Sequence, residues 1–318
     1  MRVLVTGSLG TLGRPLVAEL RERGHNVWGC DRMHSGDDQF IRADVADFPQ
    51  LERAFHTSSP SVVFHLAAEF GRLNGDLYTA DLWRTAMVGT RNVMDLCREY
   101  SSHLMFASSS EIYGECESDT LSEGIPQNEP LWQPNDYAIS KWANEMQVVN
   151  YQRRHGLHAT RFRFFNAYGP GEDYHPFRSV VALFCHKALQ GDSLPVFQGY
   201  HRTFMFIDDF IPTLANACEA DLRHGVYNIG GTDYRSVEEL AHIVLDQRVE
   251  SFSMDGKDYM AMGGGAIELI PEDVHNVRNK RPDITRARQD LGHRPRVKLE
   301  EGVPLTMEWM RDGILARA

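Results

Sequence analysis

Residues 3–25 read VLVTGSLGTLGRPLVAELRERGH: a strand-like apolar run, glycines at positions 7, 10 and 13, then a helical stretch. That order constrains the fold more than any other feature of the chain. Glycine permits a sharp turn and a close approach of backbone to a pyrophosphate, whose charge is met by free N–H groups at the start of the following helix. Gly7, Gly10, Thr11, Leu12 and Gly13 are therefore candidate cofactor-binding residues. Pro15 falls in the first helical turn, where its missing N–H costs little. Asp31 closes the next apolar run, about 20 residues on, where an acid accepts hydrogen bonds from the ribose hydroxyls of a dinucleotide. Its charge repels a 2′-phosphate and favours NAD over NADP, while the adjacent Arg32 is the group that could meet such a phosphate. Asp44 and Val45, in RADV, are expected at the adenine edge, and Leu66, Ala67 and Ala68, in HLAA, beneath the dinucleotide.

Apolar runs at 2–7, 26–30, 40–45, 62–68, 103–108 and 159–165 alternate with helical stretches near 11–24, 47–56, 81–100 and 136–155. This alternation predicts an α/β chain of Rossmann type, a doubly wound parallel sheet with helices on both faces. Beyond Asn166 the rhythm turns to mixed elements, with helices near 178–190, 209–219, 236–247 and 299–313 and a strand near 203–207. The expected organisation is a dinucleotide-binding domain over 1–165 and a smaller α+β C-terminal substrate domain over 166–318, with some exchange of chain between them. The glycine-rich segment 253–273 predicts a mobile loop.

The formal charge of −11 works against a broad nucleic-acid or anionic-membrane surface, so an anionic ligand must be held by local donors. No apolar run approaches bilayer-spanning length and no signal-like leader precedes RVLVTG, which predicts a cytoplasmic protein. The five cysteines are scattered and contain no C-x-x-C pair, so they predict buried thiols and neither a disulfide framework nor a zinc site. The 14 histidines show no ligand spacing, and no metal is expected.

NDYAISKWANE places Tyr137 and Lys141 on one face of a helix. A neighbouring ammonium and a cationic nicotinamide ring favour the phenolate, making Tyr137 a usable base near neutral pH. Ser109, at the end of the fifth apolar run, is the hydroxyl that could hold the reacting oxygen.

TGSLGTLG, Asp31, HLAA, SSSEIYG, YAISK, RFFNAYGPGE and RPDITRARQDLGHRPRVKLEEGV together resemble the extended short-chain dehydrogenase/reductases of the NAD-dependent nucleotide-sugar epimerase/dehydratase family, over nearly the whole chain. The resemblance implies tightly held NAD, a nucleoside diphosphate sugar substrate, and a homodimer. It assigns Ser109, Tyr137 and Lys141 to the catalytic positions, with Lys141 also on the nicotinamide ribose. It further implies that Asn166 binds substrate phosphate, that Arg202 and Arg278 clamp the diphosphate, and that Arg178 makes a further nucleotide contact. Ala86 departs from the pattern, since relatives often carry asparagine there.

Such enzymes begin by oxidising the sugar at C4, and neighbouring groups decide the next step. If the strand continues past Ser108, Ser109 and Glu111 share a side and a carboxylate stands beside the reacting hydroxyl. Glu111 is then the expected C5 proton shuttle, with Ser110 assisting loss of water, and a 4,6-dehydratase is the leading expectation. C4-epimerisation, decarboxylation of a uronate and C5-epimerisation stand behind it. A dinucleotide-sensing regulator is the non-enzyme alternative, although it would have no need of Ser109, Tyr137 and Lys141 together.

Overall fold

The computed structural model describes residues 1–247, 252–254, 257–259, 266–271, 273 and 275–315. The first half runs β1 (Arg2–Thr6), α1 (Gly13–Glu22), β2 (Asn26–Asp31), β3 (Phe40–Arg42), α2 (Phe48–Ser58), β4 (Val62–His65), α3 (Arg72–Leu77), α4 (Thr79–Trp83), a π-helical turn (Arg84–Gly89) and α5 (Thr90–Glu99). It continues through β5 (His103–Ser109), a 3-10 turn (Ser110–Tyr113), α6 (Ile125–Asn128), α7 (Asp136–His155) and β6 (Ala159–Phe164). The second half runs β7 (Ala167–Tyr168), α8 (Val180–Gln190), β8 (Leu194–Phe197), β9 (His201–Phe206), α9 (Ile207–Asn216), β10 (Val226–Ile229), β11 (Asp233–Ser236) and α10 (Val237–Leu245). After these come β12 (Phe252–Met254), β13 (Lys257–Tyr259), β14 (Ile267–Ile270), β15 (Asn279–Lys280), α11 (Thr285–Leu291) and α12 (Leu299–Leu315). Of the stretch 253–273 expected as a loop, residues 255–256, 260–265 and 272 lie outside the described residues, and the described remainder includes the strands β13 and β14 in place of a continuous loop.

Seven parallel strands form the central sheet in the order β10-β6-β5-β4-β1-β2-β3. The order reverses between β1 and β4, which opens a crevice at their carboxyl ends where ligands of doubly wound sheets sit. Alternate side chains of β1 show how the sheet is covered: Val3 and Val5 pack with α1, α9 and α11, while Leu4 packs with α2, α5 and α7. A separate core joins α8, α10 and α12 around Phe184, Leu240 and Val303.

The expected boundary at 165/166 is crossed by the chain. β10 returns to pair with β6 at the edge of the sheet, and Phe210, Leu214, Tyr227 and Leu291 share one core with Val3 and Phe64. The helix expected over 81–100 is present as α4, the π-helical turn and α5 in unbroken succession, and Gly89 in that turn leaves room for Val45: a Cβ there would stand 2.7 Å from Val45 Cγ2. Four of the five cysteines are buried free thiols, and Cys116 is half-buried. Among the described residues no helix is long and apolar enough to cross a membrane.

Candidate active site

The cofactor crevice is built by backbone. Gly7 has φ 71°, and a Cβ on it would come within 2.7 Å of the Ala67 amide nitrogen. A Cβ on Gly13 would lie 2.1 Å from the Gly7 carbonyl oxygen. Both positions therefore admit only glycine, and the bare loop opens onto the N-terminal end of α1. This cradle fits a dinucleotide pyrophosphate. Asp31 ends β2 with its carboxylate turned to the same loop, accepting from the Leu9 amide at 3.0 Å and from Met33 at 3.2 Å. Leu66 and Ala67 are fastened to β1 through the Thr6 carbonyl and hydroxyl, and the half-buried Ala68 continues that floor.

Other expected cofactor residues have partners of their own. Arg32 pairs with Glu69 at 2.9 Å, on the rim. Asp44 pairs with Arg84 at 2.7 Å; burial opposes its ionisation, but the Ala46 amide and Arg84 hold the carboxyl below its usual range. Val45 is buried, and its carbonyl accepts from Asn92 at 3.0 Å. Thr11 receives Arg178 Nη1 at 3.3 Å, so Arg178 lies against the cofactor loop.

Helix α7 and strand β5 carry the catalytic group. Asn135 caps α7, accepting from the Ala138 amide, and this sets Tyr137 in the first turn with Lys141 one turn later. The Ser109 hydroxyl lies near enough to the Tyr137 phenol to favour its ionised form. Lys141 Nζ donates to the Ala107 carbonyl at 2.8 Å and lies 5.9 Å from the Tyr137 ring centroid. Another turn along, the fully buried Glu145 accepts from Ser108 at 2.6 Å and from Arg163 at 2.8 and 2.9 Å. Two successive turns of the helix, at Lys141 and Glu145, are thus fastened to Ala107 and Ser108 of β5.

The electrostatics of the Tyr137–Lys141 pair are dominated by burial. Burial pushes the Tyr137 phenol up to about 12; the Ser109 hydroxyl opposes this, and the charge of Glu111 adds to it to a lesser degree. Burial lowers Lys141 to about 8, with Glu145 opposing. The Lys141 ammonium gives one of its three N–H groups to the Ala107 carbonyl, and the cationic nicotinamide ring expected from sequence beside the phenol would be the further charge that favours the phenolate.

Glu111 departs from the expected geometry as well. Strand β5 ends at Ser109, whose hydroxyl accepts from the Glu111 amide at 3.2 Å and starts the 3-10 turn that buries Ser110. The strand alternation invoked for Glu111 does not persist, but the turn still leaves its charge acting on Tyr137. Its carboxylate pairs directly with Lys280, a residue that no sequence motif singled out. Burial would raise the Glu111 carboxyl; Lys280, Arg202 and Arg72 more than offset this and hold it below its usual range.

Arg202 is buried nearby, donating to the carbonyls of His201 and Arg278 at 2.9 Å each and to Asn276 at 3.0 Å. Burial lowers it to about 10, with Glu111 opposing. The Arg278 side chain is exposed, and Lys280 is the cation that faces Glu111. Arg72, also unforeseen, pairs with Asp273 at 2.8 Å. Asn166 takes φ 37° and donates its amide to the Thr203 carbonyl at 3.1 Å. Ala86 lies in the π-helical turn, its carbonyl accepting from Asn144 of α7 at 2.9 Å. One available signal for Lys280 was scarcity: it is one of five lysines in the chain and adjoins the RPD motif.

The sequence model of the NAD dependent epimerase/dehydratase family matches residues 3–230. The UDP-N-acetyl-alpha-D-glucosaminuronate decarboxylase of Bacillus cytotoxicus is 28% identical over 326 residues, covering 98% of each chain. UDP-glucuronic acid decarboxylase 6 of Arabidopsis thaliana is 29% identical over 321 residues, covering 98% of this chain and 89% of that one. Among solved structures, the UDP-glucose 4-epimerase of Thermus thermophilus in complex with NAD superposes with a TM-score of 0.83 at 28% identity, covering 98% of this chain and 99% of that one.

Proposed function

The chain belongs to the NAD-dependent epimerase/dehydratase family, and from that premise we propose that it oxidises a nucleoside-diphosphate uronate at C4 and decarboxylates it at C6. NAD, held by the glycine loop and Asp31, supplies the oxidising equivalent at C4 and recovers it at the end, so the net reaction is redox-neutral. Tyr137 takes the proton of the C4 hydroxyl, and Ser109 holds the same oxygen. Lys141 positions the β5 end through the Ala107 carbonyl and brings a second positive charge near the phenol.

The observation that carries the second half is the Glu111–Lys280 pair next to Tyr137. A carboxylate already paired with an ammonium is a weak base for the C5 proton, whereas the ammonium is a ready proton donor. A C4 ketone makes C6 the carboxyl of a β-keto acid: the C5–C6 bond breaks, its electron pair passes to C5 and the C4 oxygen, and carbon dioxide leaves. Lys280 then delivers a proton to C5, and Glu111 stabilises and orients the ammonium. Uronate decarboxylases such as those of Bacillus cytotoxicus and Arabidopsis thaliana among the relatives support this reading over the dehydration expected first from residues 109–111. Dehydration keeps one supporting observation, the buried Ser110 beside Glu111.

Product mass from UDP-glucuronate, UDP-N-acetylglucosaminuronate and a panel of neutral nucleotide hexoses tests the assignment. Loss of carbon dioxide from a uronate, with one deuterium at C5 when the solvent is deuterated water, is expected. Loss of water from a neutral hexose, with the uronates untouched, overturns it.

A further inference from the structure

Arg178 is expected from sequence at the substrate, yet it meets the cofactor loop, and so does the segment that carries it. Between β7 and α8 the chain crosses the crevice mouth as a closed loop, residues 169–179. The buried Glu172 carboxylate fastens its ends by accepting from the Ser179 amide at 2.9 Å and the Ser179 hydroxyl at 2.7 Å. Gly171, at φ 94°, lies over the glycine loop: a Cβ there would stand 3.9 Å from the Thr11 carbonyl. The Phe177 carbonyl lies over Gly71, 3.1 Å from where a Cβ would be, and the Phe177 ring meets Tyr78 edge-on with centroids 6.1 Å apart. The loop thus spans the turns that follow β1 and β4, the two walls of the crevice.

Arg178 reaches inward from this loop. Its Nη1 donates to Thr11 Oγ1 at 3.3 Å, its guanidinium carbon lies 4.3 Å over the Phe70 ring centroid, and its Nε is buried without a hydrogen-bond partner. An unpaired buried N–H is costly, and a planar guanidinium matches phosphate oxygens better than any other side chain. The stacked ring fixes the plane of that fork next to the loop that fits a pyrophosphate.

We propose that residues 169–179 form a strap over the dinucleotide, and that Arg178 binds its pyrophosphate from the side opposite the glycine-loop amides. The inference rests on NAD occupying the crevice and is independent of the particular sugar reaction. A redox-neutral reaction uses one dinucleotide for both halves, and the strap keeps that molecule in place between them.

The test is NAD itself, with holoenzyme. NAD released per chain on denaturation and exchange of bound for radiolabelled NAD are measured for wild type, Arg178→Gln, Arg178→Lys and Phe70→Leu. Exchange is expected to be roughly ten- to a hundredfold faster in Arg178→Gln, the range of one charged hydrogen bond. Arg178→Lys and Phe70→Leu, which keep the charge or the guanidinium, should fall between, and they decide the matter if Arg178→Gln does not fold. Exchange as slow as wild type in these variants overturns the strap, and a raised KM for the nucleotide sugar with NAD retained would return Arg178 to the substrate. Exchange is read without turnover, so failure of the decarboxylation assignment leaves this test standing.

Discussion

Lys280 and Glu111 show how far a single residue's role depends on what tertiary structure places beside it. Lys280→Met is expected to leave NAD bound and to lower decarboxylation by about 10²–10⁴, the usual contribution of a positioned proton donor; product formation from UDP-glucuronate measures it. An unchanged rate would remove Lys280 from the chemistry. His65 makes a separate prediction about stability. Burial lowers this histidine from 6.5 to about 3, with Lys141 adding to the effect, while Thr6 at 2.8 Å and Thr90 at 3.2 Å flank its ring. A folded pKa below the unfolded one means that the unfolded chain binds the extra proton. The stability is therefore complete above pH 6.5 and lost as pH falls toward 3. About 2 kcal/mol should be gone by about pH 5, and His65→Gln should flatten that part of the profile in urea melts taken across pH. The Tyr137–Lys141 pair was legible because helical spacing alone puts both on one face. The upward shift of the phenol was not, because it follows from burial and from a carboxylate brought in by another turn.

At the scale of elements, the glycine loop and α7 were legible nearly to their ends. Asn135 caps α7, Gly156 stops it at φ 67°, and its span of Asp136–His155 coincides with the expected 136–155. The loop was legible because its glycines answer to local backbone geometry: a Cβ on Gly13 would stand 2.1 Å from the Gly7 carbonyl. Gly13→Ala is accordingly expected to abolish NAD retention and to cost about 1–3 kcal/mol of stability, read by NAD content and denaturant melts. The π-helical turn inside the helix over 81–100 was not legible. It coincides with Gly89 packing against Val45 and with Asn144 of α7 donating to the Ala86 carbonyl, contacts between residues far apart in the chain. The fastening of α7 to β5 makes Glu145 the element's weakest point to lose. Its carboxylate takes hydrogen bonds or ion pairs from Ser108, Arg163 and Arg161 with no solvent exposure. Glu145→Gln should cost about 3–5 kcal/mol in denaturant melts, because the arginines would be left without their counter-charge.

Across the whole molecule, the alternating first half announced a doubly wound sheet, while the second half hid its largest contribution. Val226–Ile229 is a short apolar run like many others, and only its pairing with β6 makes it the seventh strand of the sheet. Residues 1–165 alone would lack that strand and the face of α9 and α11 that covers Val3 and Phe64, so this fragment should show no cooperative unfolding transition. The chain's charge of −11 is no obstacle to an anionic substrate, because Lys280, Arg202 and Arg72 gather their positive charge around Glu111. All of these parts converge on one oxygen, the phenol of Tyr137. The most direct test is turnover by Tyr137→Phe holoenzyme alongside its NAD content. Full NAD retention with product formation down by about 10²–10⁴ is the expected result; an NAD-loaded variant that turns over at the wild-type rate would contradict the role given to that oxygen.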